Sequence, residues 1–86
     1  MSYAVEFDRG AAKELRRLDL PVRRRILAAV AALADDPRPA GCKAMAAWPP
    51  AHYRIRVGDY RVIYAVKDAA LVVLVVRVGH RGSVYR

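Results

Sequence analysis

The chain reads as an α+β domain: a small antiparallel sheet of about four strands with two N-terminal helices packed on one face, in the order β-α-α-β-β-β. Three observations predict it. The opening "YAVEF" alternates large and small side chains with the period of a strand. The next two segments switch to helical spacing, each introduced by an aspartate. After a proline-rich stretch the pattern returns to strands, and "YRIRVGDYR" folds naturally into a hairpin about Gly58-Asp59.

Each element follows in turn. Tyr3, Val5 and Phe7 point one way and Ala4 and Glu6 the other, which is a half-buried strand. Asp8 is placed to cap a helix running to about Leu18, with Ala11, Leu15 and Leu18 on one stripe. Asp19 and Pro21 start a second helix to about Ala34, its apolar stripe formed by Val22, Ile26, Ala29, Val30 and Leu33. Residues 35–50 hold four of the chain's five prolines and read as a loop, with room for a short extended piece near Lys43–Trp48. The hairpin follows, then a turn at Lys67–Ala70. "ALVVLVVRV" is apolar on both faces, so it is expected at the centre of the sheet. "GHRGSVYR" forms the tail.

The 86 residues suit one domain. The longest apolar run, Ala69 to Val76, is far shorter than the roughly 20 residues of a membrane span. The first residues are acidic early and lack the apolar core of a secretory signal, and the single cysteine, Cys42, has no internal partner for a disulfide. A reducing cytoplasm, no membrane and no cofactor are therefore expected. No metal site is expected either, because Cys42, His52 and His80 stand in no CxxC or HxxxH spacing. Nucleotide loops and the GxSxG elbow are absent. The net charge is +8, with 16 Lys and Arg against 8 Asp and Glu, which favours an anionic partner. Arg23 to Arg25 at the start of the second helix spread around its circumference and read as a solvated face.

The hairpin raises the chemical question. A two-residue turn at Gly58-Asp59 sets Arg56 opposite Arg61, Ile55 opposite Val62 and Tyr53 opposite Tyr64. The aromatic and aliphatic face belongs under the helices. The other face then carries Arg54, Arg56 and Arg61, open to solvent. Like charges directly opposite each other cost about 0.2–1 kcal/mol, so an anion that neutralises them is expected. Arg77, His80, Arg81 and Tyr85 follow in the last strand and tail, and a tail leaving at Gly79 brings Arg81 and Tyr85 towards the hairpin arginines.

These residues also carry a resemblance. "YRIRVGDYRVIY", followed by "VVRVGHRGSVYR", resembles the RelE family of toxins from type II toxin–antitoxin systems, and "FDRGAAKELRRL" with the proline-led second helix agrees. The resemblance implies an endoribonuclease that cuts translated messenger RNA in the ribosomal A site without a metal. It implies Arg61, Arg81 and Tyr85 as catalytic residues, with Arg54 and Arg56 binding RNA; the basic C-terminal half adds Arg77 and His80 as further RNA-binding candidates. It also implies a ribosome carrying mRNA as the target, and a cognate antitoxin that silences the toxin in a hetero-oligomeric complex. The sequence departs from the family pattern at Asp59, which stands for glycine. Arg54 and Arg56 replace lysines of several relatives, His80 replaces a frequent lysine, and the chain ends one residue after Tyr85. Arginine is too basic to move protons, so Tyr85 is the candidate general base or a stacking ring, and His80 a candidate acid or a surface turn residue. Two other functions stay open: a ParE-like inhibitor of DNA gyrase, and a non-enzymatic module that binds RNA or antitoxin.

Overall fold

The computed structural model describes residues 2–80. Arg81 and Tyr85 lie outside them. The elements run β1 (Ala4–Phe7), α1 (Arg9–Arg16), α2 (Leu20–Ala32), β2 (Lys43–Ala44), β3 (His52–Val57), β4 (Tyr60–Lys67), a single 3-10 turn (Asp68–Ala70) and β5 (Val72–His80). None of the described helices is long and apolar enough to cross a membrane.

Asp8 caps α1 as its position predicts, its carboxylate accepting from the Ala11 N–H at 2.8 Å. Asp19 precedes α2 but makes no capping bond, and Pro21 in the first turn provides the start signal. The arginines that open α2 have separate contacts. Arg23 donates to the Arg16 and Leu18 carbonyls at 3.0 and 3.1 Å, satisfying acceptors at the end of α1. Arg25 lays its guanidinium against Gly58 at the hairpin turn. Arg24 and Arg25 are exposed, in keeping with the solvated face expected of all three, whereas Arg23 is half-buried.

Among the described residues the sheet has five strands in the order β1-β5-β4-β3-β2 and is mixed. Three expectations are corrected here. The short extended piece in the loop becomes a fifth strand, β2, paired with β3 through Lys43↔Arg54 and Ala44↔Tyr53. In addition, β1 runs parallel to β5, from Ala4↔Val72 to Phe7↔Val75. The helices carry the chain across to the far edge, and the antiparallel meander returns it to lie beside β1. The central strand is β4, with β5 between it and β1. The apolar run of β5 is therefore interior, but the middle position belongs to "YRVIYAV", which is buried on both faces from Arg61 to Val66.

The hairpin register is the expected one, from Val57↔Tyr60 and Arg56↔Arg61 through Tyr53↔Tyr64. Gly58 sits at φ 60°, the positive value that a type II′ turn needs at its first central residue. On the helix side Ala11, Leu15, Ile26, Val30 and Leu33 pack on Ile55, Val62, Tyr64, Val66, Val73, Val75 and Val78.

One irregularity sets the faces of β5. Ile63 pairs with Arg77 but Tyr64 pairs with Val75, so Val76 is an extra residue. Strict alternation after Val73 and Val75 would send Arg77 into the core. The bulge gives that place to Val78, which is 1% exposed, and turns Arg77 aside. The β1 ladder stops at Phe7, which leaves the neighbouring edge of β5 bare beyond Val75. Glu14 of α1 fills the gap: its carboxylate accepts from the Val78 N–H at 2.9 Å and from Arg77 Nε at 3.1 Å.

Two stability outcomes follow. Glu14→Ala removes both bonds and is expected to cost about 1–3 kcal/mol in urea unfolding, with faster amide exchange at Val78. Glu14→Gln keeps an oxygen for Val78 and should cost less. Gly58→Ala forces a side chain into the left-handed region, about 1–2 kcal/mol, and its Cβ would lie 2.7 Å from the Arg25 guanidinium.

Candidate nucleic-acid interface

Strand geometry puts alternate residues and direct cross-strand partners on one face. His52, Arg54 and Arg56 of β3 therefore share the face away from the helices with Arg61, Ile63 and Ala65 of β4, and Lys43 of β2 joins opposite Arg54. The three hairpin arginines come together as expected, but their exposure is graded. Arg56 is exposed, Arg54 half-buried and Arg61 only 8% exposed. Ile63 beside them is fully buried. The expectation of three solvent-facing arginines on an open face is corrected at Arg61.

Burying a guanidinium is costly unless its donors are satisfied. Arg61 Nη1 donates to its neighbour's carbonyl, Tyr60 O, at 3.3 Å. Its Nε is buried and has no hydrogen-bond partner among the described residues. A partly desolvated cation directly opposite Arg56 suits an anionic oxygen. A phosphate against the accessible edge of the pair would offset the repulsion between the two arginines.

The end of β5 reaches this place from the side. Gly79 pairs with Arg61 and His80 with Tyr60, so the last described residues of β5 lie next to the buried guanidinium; the expected approach of Arg81 and Tyr85 falls outside the described residues. His80 projects on the helix side, because it shares its face with Tyr60 and meets that ring edge-on at 5.6 Å. It sits at the end of the site rather than in the arginine row. Arg77 is held by Glu14 and is not part of that row either.

Sequence reasoning missed an aromatic pair on the basic face. Trp48 and His52 have ring centroids 5.6 Å apart at 38°. The signal was available, since the hairpin alternation continued back from Arg54 puts His52 on the arginine side.

Two further features flank the sheet. A groove of about 730 Å³ opens between α2, residues 39–41 and the outer edge of β3. Ala29, Leu33 and Ile55 line it, with Lys43, Arg54 and Arg56 among its basic residues. At the opposite end of the sheet Arg38 pairs with Asp68 at 2.8 Å and donates to the Tyr53 hydroxyl at 3.0 Å. Tyr3 donates to the same carboxylate at 2.7 Å. Arg38 and Tyr3 hold Asp68 below the usual carboxylate range. Burial pushes the Tyr64 phenol up, and its hydroxyl donates to Pro37 O at 2.7 Å. Tyr64 is thus a structural clasp on the loop, unsuited to proton transfer.

This arrangement, two helices over a five-stranded sheet with a basic outer face, matches known toxins. The family model described as the ParE toxin of the type II toxin-antitoxin system parDE matches residues 5–85. The mRNA interferase toxin RelE of Escherichia coli is 32% identical over 81 residues, which are 94% of this chain and 85% of that protein. The structure of a mutant of E. coli toxin RelE in the free state superposes with a TM-score of 0.83 at 32% identity, covering 96% of this chain and 88% of that one. RelE in the archaeal RelE-RelB complex of Pyrococcus horikoshii gives 0.82 at 30% identity, covering 96% and 99%. The chain belongs to the RelE/ParE family of type II toxins.

The graded exposure of the arginines has a measurable consequence. Replacing Arg54 and Arg56 together with alanine should flatten the dependence of RNA or ribosome binding on salt, by a log–log slope of roughly 1–2. Urea unfolding of the double variant should stay close to wild type. Arg61→Ala is expected to disturb stability more, because its side chain is packed.

Proposed function

We propose that this protein is a toxin that cleaves messenger RNA on the translating ribosome and is silenced by a cognate antitoxin. The observation that carries the reading is the pairing of Arg61 with Arg56 on the outer face of the hairpin, with Arg54 on the same face and the last described residues of β5 beside them. The relatives named mRNA interferase support the same activity.

The chemistry requires no group beyond the chain and its substrate. The 2′-oxygen of one nucleotide loses its proton and attacks the adjacent phosphorus in line. The P–O bond to the 5′-oxygen breaks, that oxygen takes a proton, and a 2′,3′-cyclic phosphate remains. Arg61 is assigned to the scissile phosphate, where its donors meet the charge that grows in the transition state. Arg54 and Arg56 hold the flanking backbone. Arg81 is assigned to the transition state or the leaving oxygen and Tyr85 to proton transfer or stacking, both on the strength of the family motif. His80, beside Tyr60 and one residue before Arg81, is the candidate acid.

The α2–β3 groove suits an antitoxin segment with apolar side chains for Ala29, Leu33 and Ile55 and carboxylates for Lys43, Arg54 and Arg56. Such a segment would cover two arginines of the RNA face, and toxin and antitoxin would form a hetero-oligomer in the cytoplasm. A second reading, gyrase inhibition, is favoured by the ParE description of the matching family model.

Primer extension on ribosomes programmed with a defined message separates these readings. Codon-linked cuts are expected from wild type. Gyrase-linked DNA breaks without mRNA cuts would move the protein to the second reading. Arg61→Ala, Arg81→Ala and Tyr85→Phe should each slow single-turnover cleavage by at least roughly tenfold, since loss of one preorganised stabilising group typically costs about 10²–10³. Tyr85→Phe at wild-type rate would reduce that residue to a stacking or packing role. Co-expression with the cognate antitoxin should restore growth and yield a stable complex. Lys43→Glu with Arg56→Glu should weaken that complex by about tenfold or more if the groove is the docking site.

A further inference from the structure

Trp48 is the only tryptophan of the chain, and it is not spent on the core. The cluster under the helices and the half-buried residues packed against it do not include it. It stays half-buried on the outer side of the sheet, against the His52 ring. His52 is itself on the face of Lys43, Arg54 and Arg56, about 13 Å along β3 from Arg56 at the ordinary strand rise.

The segment that presents the two rings is stiff. Met45 N donates to His52 O at 2.9 Å and Trp48 N to Met45 O at 3.1 Å, closing the loop on itself. Pro49 and Pro50 lock two of its φ angles. Ala51 is held at φ 64°, a strained value for a residue with a Cβ, while its carbonyl accepts from Val66 N at 2.9 Å. His52 Nδ1 faces the Pro49 and Pro50 carbonyls at 3.0 and 3.2 Å. Both partners only accept, so Nδ1 carries the hydrogen and the ring is fixed. A rigid aromatic pair set beside a row of cations is how single-stranded nucleic acid is held without sequence readout: the cations track the phosphates and a base stacks on the ring.

We propose that Trp48 and His52 form a stacking platform for an unpaired RNA base, an additional binding subsite that extends the arginine row away from the cleavage position. The platform rests on the reading of the protein as a ribosome-dependent ribonuclease. It binds and orients, and takes no part in proton transfer. The base comes from the messenger or from ribosomal RNA in the A site, and the chemistry is the same for both.

The test is single-turnover cleavage on mRNA-programmed ribosomes as a function of toxin concentration, for wild type, Trp48→Phe, Trp48→Leu and Trp48→Ala. Loss of the stack should raise the half-saturating concentration about fivefold to a hundredfold in the Leu and Ala variants. The saturating rate should stay within about twofold and Trp48→Phe should remain near wild type. Leucine is the deciding variant, because it fills space without offering a ring. If Trp48→Leu matches wild type while Trp48→Ala does not, the residue is a spacer and the platform is overturned. Wild-type behaviour of all three variants, or unfolding of both Leu and Ala variants in thermal melts, overturns it as well. A wild type that cuts while the variants match it sinks only the platform; a wild type that cuts nothing sinks the ribonuclease reading with it. The source of the base is read from the intrinsic fluorescence of Trp48, titrated with a short 2′-O-methyl RNA of the cut-site sequence. Quenching assigns the base to the messenger. Unchanged fluorescence together with the ribosomal effect assigns it to ribosomal RNA.

Discussion

Val76, the extra residue in β5, decides which side chains meet at the end of the sheet. A strand that alternates without interruption from Val73 would bury Arg77, an ion with no place in an aliphatic core. The bulge moves the pattern by one residue, so that Val78 seals the core and Arg77 turns to Glu14. The same shift places Gly79 beside Arg61 and His80 beside Tyr60. The pairing of the last described residues of β5 with the start of β4 depends on this local change of register. Glu14 completes the arrangement by satisfying the Val78 N–H that β1 is too short to reach.

The second constraint is the position of β4 at the centre of the sheet. A central strand has neighbours on both sides and cover on both faces, so Arg61 is carried into a buried position by the strand that holds it. A packed guanidinium has few rotamers to lose when it binds an anion, and its partial desolvation strengthens the interaction with phosphate. Arg56, on the outer part of the hairpin, is exposed and hydrated by comparison. The row thus combines a packed guanidinium with a more exposed one. The opposed Arg56 and Arg61 break a local pairing rule, and such breaks occur most often where function requires them.

Much of the site could be read from the residue order because a hairpin obeys local rules. Gly58-Asp59 between alternating runs fixes the register, and the register fixes that Arg54, Arg56 and Arg61 share a face. Asp8 as a cap and the stripes of both helices were legible for the same reason: capping and helical periodicity act over three or four residues. His52 lay within reach of the same argument. The Trp48 ring did not, since its approach to His52 depends on a loop closed by the Met45–His52 bond and on the strained Ala51, neither of which has a periodic signature. The three arginines opening α2 looked alike in sequence and took different roles, because what each meets is set by where α1 ends and where the hairpin turn comes to rest.

The sequence by itself determined the element order, the α+β class, the hairpin pairing, the basic face and, through "YRIRVGDYRVIY" and "VVRVGHRGSVYR", the family. These follow from short-range physics: the two-residue period of strands, the three-to-four-residue period of helices and the conformational demands of glycine and proline. Only the tertiary structure decided that β1 closes the sheet in parallel, that β4 rather than β5 is central, that Arg61 is buried and that His80 stands on the helix side. Each of those depends on which edges meet across the whole chain. Edge pairing is governed by long-range packing and by a one-residue shift that neither composition nor periodicity records.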